Sequence, residues 1–365
     1  MFSEKDLSEL LDYSSQSGVL SVYLNTNPVE VQADTAKIQL RNLLKTIDLV
    51  EDVQAVERYV DLEYDWSSKG VIVFSDQRGG FFKAYQLDIS VPDRAFLGQQ
   101  PVIRPLVQLM ETYTGWGVVL VDKQSARLFS FNLGALVESE SILGDEVKQT
   151  KRGGGDTMFG RGSSLDASGK VESIIERNTK TIVEYAASFF KQHHIRRILI
   201  GGSEENIVRF KEALPKAWQS LIVGNFPISM TAGHPEIQGQ TSQAVLESQR
   251  KINRRLINQA VTLTAKGVNG VTGLIDTLNA IHEGRVKILL VSPDFEQAGF
   301  RCEGCGYLAV QDVKTCPFCN GNFKRIDDAV EMAVRETLRN NAEVKVIGDD
   351  PALTQAGQIV AILRY

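Results

Sequence analysis

Trp116-Gly-Val-Val-Leu-Val-Asp122 and Ala126-Arg-Leu-Phe-Ser-Phe131 are two runs rich in apolar and aromatic residues, joined by the polar turn Lys123–Ser125, and they predict neighbouring strands. A third strand is predicted at Leu136–Ile142. The pattern then changes to Lys148-Gln-Thr-Lys-Arg-Gly-Gly-Gly-Asp-Thr-Met-Phe-Gly-Arg-Gly162, which holds five Gly and four Lys/Arg. Such a stretch cannot build a core of its own. It is either a tolerated surface loop or a tip that becomes ordered on a partner. Beyond it, Val171–Gln192 carries apolar residues at 171, 174, 175, 182, 183, 186, 189 and 190, near helical spacing, and Arg196-Arg-Ile-Leu-Ile-Gly-Gly-Ser203 predicts a strand running into a turn. The glycine loop is therefore an insertion between a sheet and a long helix.

Toward the N terminus, Ser3 is a candidate N-cap for a helix through Leu11, with Glu4 and Asp6 near its positive end. Gly18–Leu24 predicts a strand that ends at Asn25-Thr-Asn-Pro28. Asp34–Val60 reads as helical with a break at Leu49–Asp52, and Gly70–Phe74 and Phe81–Leu87 read as strands. This mixed α/β region contains no His and no catalytic constellation.

Toward the C terminus, a short helix from Glu204 ends before Pro215, and Leu221–Val223 predicts a strand. Met230–Gln240, rich in Gly, Pro and polar residues, reads as a linker. Thr241–Lys266 is helical and concentrates Arg250, Lys251, Arg254 and Arg255; this turn either faces RNA or is a solvated helix face. Val271–Gly284 predicts a helix with a Gly stop, Val286–Val291 a buried strand, Asp327–Asn340 an amphipathic helix, and Ala342–Ile347 and Ile359–Leu363 closing strands. That alternation predicts a three-layer α/β/α domain.

Composition bounds the function. The chain has 365 residues, 43% hydrophobic and 23% charged, with a net charge of −5, so nucleic-acid binding would have to rest on local basic patches. No apolar run reaches the roughly 18 residues that span a bilayer, and Met1-Phe2-Ser3-Glu4-Lys5 lacks a signal-peptide pattern, so a cytoplasmic protein is expected.

All four cysteines fall between Cys302 and Cys319. Cys302-Glu-Gly-Cys305 and Cys316-Pro-Phe-Cys319 are two CxxC knuckles separated by ten residues, which lets four thiolates meet one tetrahedral Zn²⁺. Four protein ligands leave no open position, so the expected role is structural. The alternative is two disulfides or four unrelated thiols.

Lesser motifs keep two readings each. His193-His194 are either metal ligands or favourable partners of a helix C-terminus. Gly201-Gly202-Ser203 is either a phosphate-binding turn or a plain strand-to-helix turn, and it lacks both GxGxxG and a P-loop lysine. His282-Glu283 is not followed by the second His of an HExxH motif.

From Trp116 onward the chain resembles a known family. Gly117–Phe129, the glycine-rich basic loop, the helix with Arg177 and Val183-Glu-Tyr-Ala186, and Ile198–Ser203 look like the middle domain of the archaeal and eukaryotic class I release factors and of Pelota. Gly273–Val291 and Ala361-Ile-Leu-Arg-Tyr365 resemble that family's C-terminal domain, which is similar to ribosomal protein L30e and to which a zinc ribbon can be attached. The combination most resembles the bacterial branch, which includes Pelota-like hibernation factors.

With the mixed α/β region over 1–113 read above, the resemblance implies an α/β chain of three domains, adding a release-factor-like middle domain over 114–228 with its loop at 144–170 and an L30e-like α/β/α domain over 241–365 with a zinc knuckle at 300–322. It implies a monomeric factor that enters the ribosomal A site and meets rRNA, tRNA and a translational GTPase, with no membrane partner. Lys148, Lys151, Arg152 and Arg161 would contact rRNA. In release factors the loop tip is Gly-Gly-Gln, which positions water on the peptidyl-tRNA ester. Here the matching residues are Gly153, Gly154, Gly155 and Asp156, so Asp stands where Gln would be. Glycine amides can stabilise an oxyanion, but a carboxylate beside that charge opposes it. The Asn-Ile-Lys-Ser motif of stop-codon reading does not occur in residues 1–113. A-site binding on stalled or idle ribosomes is the expectation, with peptidyl-tRNA hydrolysis by a variant tip as the alternative.

Overall fold

The computed structural model describes residues 2–147, 163–311, 314–348 and 350–365. These residues fall into two compact units, one formed by Met1–Thr112 together with Arg250–Tyr365, the other by Tyr113–Gln249.

The first unit begins with α1 (Glu4–Asp12), β1 (Val19–Asn25), α2 (Ala33–Leu44) and α3 (Val50–Arg58), the last prolonged by a π-turn at Tyr59–Glu63. β2 (Gly70–Asp76), β3 (Phe81–Leu87), β4 (Arg94–Gly98) and α4 (Arg104–Tyr113) follow. Ser3 caps α1 through a capping box with Asp6, as its position predicts. The four strands form an antiparallel sheet in the order β3-β2-β1-β4. One face, with Leu20, Val22, Leu24, Val71 and Val73, packs on Leu40, Leu44, Val56 and Val60 of α2 and the α3 segment. The opposite face carries the aromatic set Tyr23, Phe74, Phe96 and Tyr85. Both faces are therefore covered, which explains why every residue of β2 is buried.

The second unit contains β5 (Trp116–Val121), β6 (Ser125–Asn132), β7 (Ala135–Leu143), α5 (Ser163–Gln192), β8 (Arg197–Gly202), α6 (Glu204–Ala213), α7 (Lys216–Gln219), β9 (Ile222–Phe226) and the first half of α8 (His234–Ala265). Its sheet runs β7-β6-β5-β8-β9, antiparallel on the β7 side and parallel from β5 to β9. Strand alternation divides the core. Val119, Val121, Leu128, Ile198 and Ile200 meet Ile182, Ala186, Phe189 and Phe190 of α5 and Phe210 of α6. Trp116, Val118, Leu120, Phe129 and Leu199 meet Ile237 and Val245 of α8.

Three boundaries differ from the sequence reading. Val271 and Thr272, expected at the start of a helix, lie in a strand (Gly270–Thr272), and the helix starts only at Leu274, after Gly273 turns the chain with φ 81°. α5 starts at Ser163, ahead of the apolar stripe, so the last part of the expected 144–170 loop is helical. α8 starts at His234, inside the expected linker, because Pro235 is compatible with a first helical turn, where its missing N–H has no partner to lose.

The chain then returns to the first unit with the rest of α8, β10 (Gly270–Thr272), α9 (Leu274–His282), β11 (Val286–Val291), β12 (Gly299–Cys302), β13 (Leu308–Ala309), β14 (Phe323–Ile326), α10 (Ala329–Arg339), β15 (Glu343–Val346), α11 (Pro351–Gln355) and β16 (Ile359–Leu363). The larger sheet has the order β10-β16-β11-β15. Ile257 and Ala260 of α8 and Leu353 of α11 cover the face that bears Leu290, Val360 and Ile362. Alternation turns Leu289, Val291 and Ala361 to the other face, where α9 meets β16 and α10 meets β15 and β11. This is the α/β/α sandwich predicted from the alternation.

Buried arginines join the first and last thirds of the chain. Arg335 on α10 is fully buried, and its Nη1 and Nη2 donate to the carbonyls of Pro101 (2.8 Å) and Leu10 (2.9 Å), with Leu11 as a further acceptor. Leu10 and Leu11 lie in the last turn of α1, where carbonyls lack helical partners, so Arg335 satisfies groups the helix cannot. Arg104, also buried, pairs with Asp328 at 2.9 Å and lies 3.7 Å from Glu331. Glu331 in turn accepts the Ile103 N–H at 2.8 Å.

Candidate functional site

The candidate site has two described parts, the root of the glycine loop in the second unit and the cysteine cluster in the first. Gly153, Gly154, Gly155 and Asp156, and the cations Lys148, Lys151, Arg152 and Arg161, lie outside the described residues.

The root is built from the turn that joins β5 to β6. The carboxylate of Asp122 accepts the N–H groups of Gln124 and Ser125, which fixes that turn. Gln124 then offers its carbonyl to the Gly144 N–H at 2.7 Å, just after β7. A Cβ at Gly144 would collide with the side-chain oxygen of Asn178, so the close approach requires glycine here. Asn178 on α5 is 2% exposed. Its Oδ1 accepts the Asp145 N–H at 2.8 Å, while its Nδ2 donates to the carbonyls of Asp145 (2.8 Å) and Lys123 (3.3 Å). One side chain thus joins the strand that enters the loop, the helix that leaves it and the β5–β6 turn. Outside this clamp, Arg177 pairs with Asp145 at 3.3 Å, and the Tyr185 hydroxyl donates to Glu140 of β7. That bond to Glu140 raises the Tyr185 hydroxyl above the usual phenol range.

Asn178 was legible as a polar residue inside an apolar helical stripe, between Ile175 and Ile182. The sequence reading did not single it out.

The four cysteines come together as the knuckle spacing predicts. Their Sγ atoms all lie within 4.8 Å of one another, with Cys302 and Cys319 at 3.4 Å and Cys305 and Cys316 at 3.5 Å. None is in a disulfide. Tetrahedral coordination with bonds of about 2.3 Å sets sulfurs roughly 3.8 Å apart, so the set fits one ion. The Cys305 N–H foremost, with that of Gly304, pulls the Cys302 thiol down to about 6, as expected for a knuckle that presents backbone donors to sulfur. Desolvation and the neighbouring thiols push Cys305 up to about 12. A bound cation removes that conflict by stabilising all four thiolates.

The cluster sits on the small sheet β13-β12-β14 and is anchored to α9. Tyr307 donates to the side-chain oxygen of Asn279 at 2.7 Å, and His282 packs between Phe318 (4.3 Å) and Tyr307 (5.2 Å). That contact gives His282 a packing role. Beside the cluster is a cleft of about 770 Å³ whose lining mixes Arg301, Lys324 and Arg325 with Glu303, Asp327 and Glu331, a mixture that favours no single ligand charge.

The remaining motifs resolve toward structure. His194 adopts a left-handed conformation (φ 51°) at the end of α5, and His193 lies on Phe189 at 4.4 Å. Among the described residues, the cysteine set is the sole group placed to hold a metal. A Cβ at Gly201 would press on Leu120 and Ile228, and Gly202 has φ 142° against the Val121 carbonyl. The glycines are thus required by packing, and Glu204 and Glu205 at the start of α6 disfavour an anion there. No helix among the described residues is long and apolar enough to cross a membrane.

Residues 101–250 match the family model described as Bacterial archaeo-eukaryotic release factor family 10. No curated protein matches the chain. Among solved structures, an archaeal translation termination factor, aRF1, is similar at 15% identity over 99% of this chain and 96% of that one, with a TM-score of 0.27. Dom34 of S. cerevisiae, a translation termination-like factor, is similar at 10% identity over 81% of each chain, TM-score 0.40. Archaeal Pelota, in a ribosome-bound model with ABCE1, is similar at 11% identity over 100% of this chain and 94% of that one, TM-score 0.41. The matched segment contains β5, β6, β7, the whole glycine loop and Asn178. The similarity to the bacterial archaeo-eukaryotic release factor family 10 thus lies in residues 101–250, the stretch that carries the loop and its clamp.

Proposed function

We propose that the protein is a translation factor that binds the ribosomal A site of stalled or idle ribosomes and does not hydrolyse peptidyl-tRNA. The observation that carries this reading is the family match over residues 101–250, which brackets a loop whose tip reads Gly153-Gly-Gly-Asp156. The clamp at Asn178 supports it, because a reaching tip needs a fixed base. Lys148, Lys151, Arg152 and Arg161 supply phosphate contacts. Asp156 places a negative charge where acyl hydrolysis develops another, so the tip occupies space without promoting the reaction.

The Cys302, Cys305, Cys316 and Cys319 set holds zinc in this reading. Soft thiolates at tetrahedral positions favour Zn²⁺, and four ligands leave it a structural part. It would supply folding free energy to the knuckle and no step in a reaction. A translational GTPase as delivery partner belongs to the same proposal.

The test uses 70S ribosomes loaded with labelled peptidyl-tRNA. The expected result is that adding the protein releases no peptide. Peptide release that disappears in G154A/G155A would show a hydrolytic factor and overturn the binding-only reading.

A further inference from the structure

From Gln249 to Gly273 the chain holds five cations, Arg250, Lys251, Arg254, Arg255 and Lys266, and no Asp or Glu, within a protein of net charge −5. The first four lie on α8, all exposed. Among the described residues none of them has a carboxylate oxygen within 4.0 Å. Packing fixes which way this half of the helix faces: Leu256, Ile257, Ala260 and Leu263 turn to the β11–β16 face, so the cations turn to water.

Arg250 with Arg254 and Lys251 with Arg255 are i,i+4 neighbours of like charge, an arrangement that weakens a helix; Glu247, exposed one turn earlier, offsets it only at the Arg250 and Lys251 end. The two rows advance about 6 Å per step along the axis, a spacing suited to successive phosphates of a strand. Exposed Asn258, Gln259 and Thr262 prolong the face with neutral hydrogen-bonding groups. Val261 is its one large apolar residue, 37% exposed. A protein partner would need an apolar centre to this surface, whereas a nucleic-acid backbone is held by charge and polar contacts alone.

We propose that the Arg250–Arg255 face of α8 is a phosphate-contacting surface for RNA, on a different compact unit from the glycine loop. It rests on the reading of the protein as a ribosome-binding factor and assigns a second electrostatic contact to it.

The test compares wild type with R250Q/K251Q/R254Q/R255Q and with R250K/R254K/R255K, by cosedimentation with 70S ribosomes across a salt series. The Gln variant should bind at least tenfold more weakly at low salt, and its slope of log K against log salt should be shallower by up to about 3, from four contacts at about 0.7 each. The Lys variant should keep affinity and slope. An unchanged slope in the Gln variant overturns the proposal and leaves ribosome binding standing. Should wild type fail to sediment with ribosomes, the functional reading fails, and a single-stranded RNA homopolymer decides the helix face by the same comparison. Equal binding to poly-glutamate at matched charge would assign the face to an acidic protein and sink the proposal. If the fourfold variant melts early, R254Q and R255Q singly, each expected to lower the slope by about 0.7, decide instead.

Discussion

Asn178 and Asp145 are joined through both backbone groups of the latter: the Asn178 amide accepts the Asp145 N–H and donates to the Asp145 carbonyl, each at 2.8 Å. A backbone paired at both of its polar groups by one buried side chain cannot slide, so the exit of β7 is fixed against α5. Asn178→Leu leaves these groups unpaired in a site where the side chain is 2% exposed, and should destabilise the second unit by about 2 kcal/mol. Asn178→Asp keeps an acceptor for the Asp145 N–H but sets a buried carboxylate against the Asp145 and Lys123 carbonyls, so it should destabilise at least as much as Leu. Chemical denaturation, with limited proteolysis at residues 144–162, reads both.

The cysteine cluster predicts one zinc per chain. Cys316→Ser should remove it, since Cys316 is fully buried and its thiol has no substitute nearby. Apparent zinc binding in isolated knuckles is worth about 10–16 kcal/mol, so metal loss should unfold the small sheet and free His282 from Phe318. Elemental analysis would check the stoichiometry, and the His282 ring resonances would report the release. A metal-free protein that melts like the holoprotein would count against a structural ion.

Glu331 predicts a pH dependence. Burial foremost pushes its carboxyl above the usual 4.5, although Arg104 and the Ile103 N–H pull it back. A folded value above the unfolded one means that the native chain holds this proton to higher pH. Its contribution is fully present below about 4.5 and is lost as pH rises through the folded value. Glu331→Gln still accepts the Ile103 N–H and cannot ionise, so the variant should flatten that part of the stability–pH profile. An identical profile in the variant would show that Glu331 does not titrate there.

Arg335 predicts that the N-terminal helix depends on the C-terminal third. Arg335→Leu removes the donor to the carbonyls of Leu10, Leu11 and Pro101. Leaving buried carbonyls unpaired should cost about 3 kcal/mol in denaturant titration and should expose α1 to protease first. Arg339, which also donates to Leu11, limits the loss.

These residues also show what the sequence can reveal. The strand pair 116–131, the α5 stripe and the paired knuckles are local patterns, because period and spacing carry them. Arg335 is different: on a helix with apolar and charged positions it reads as an ordinary surface cation, and only contact with Leu10, 325 residues earlier, buries it. β4 escaped notice because Arg94-Ala-Phe-Leu-Gly98 is short and half exposed. Asn178 could have been found as the polar break in its stripe. The α8 start was hidden by Gly233 and Pro235, which mark a loop in composition while permitting a helix start.

The most direct measurement of the central claim is cosedimentation of the purified protein with 70S ribosomes whose A site is either empty or filled with tRNA. The proposal predicts that the protein sediments with the empty-site ribosomes and that A-site tRNA displaces it. Sedimentation that is indifferent to A-site tRNA, or no sedimentation with either, would contradict it.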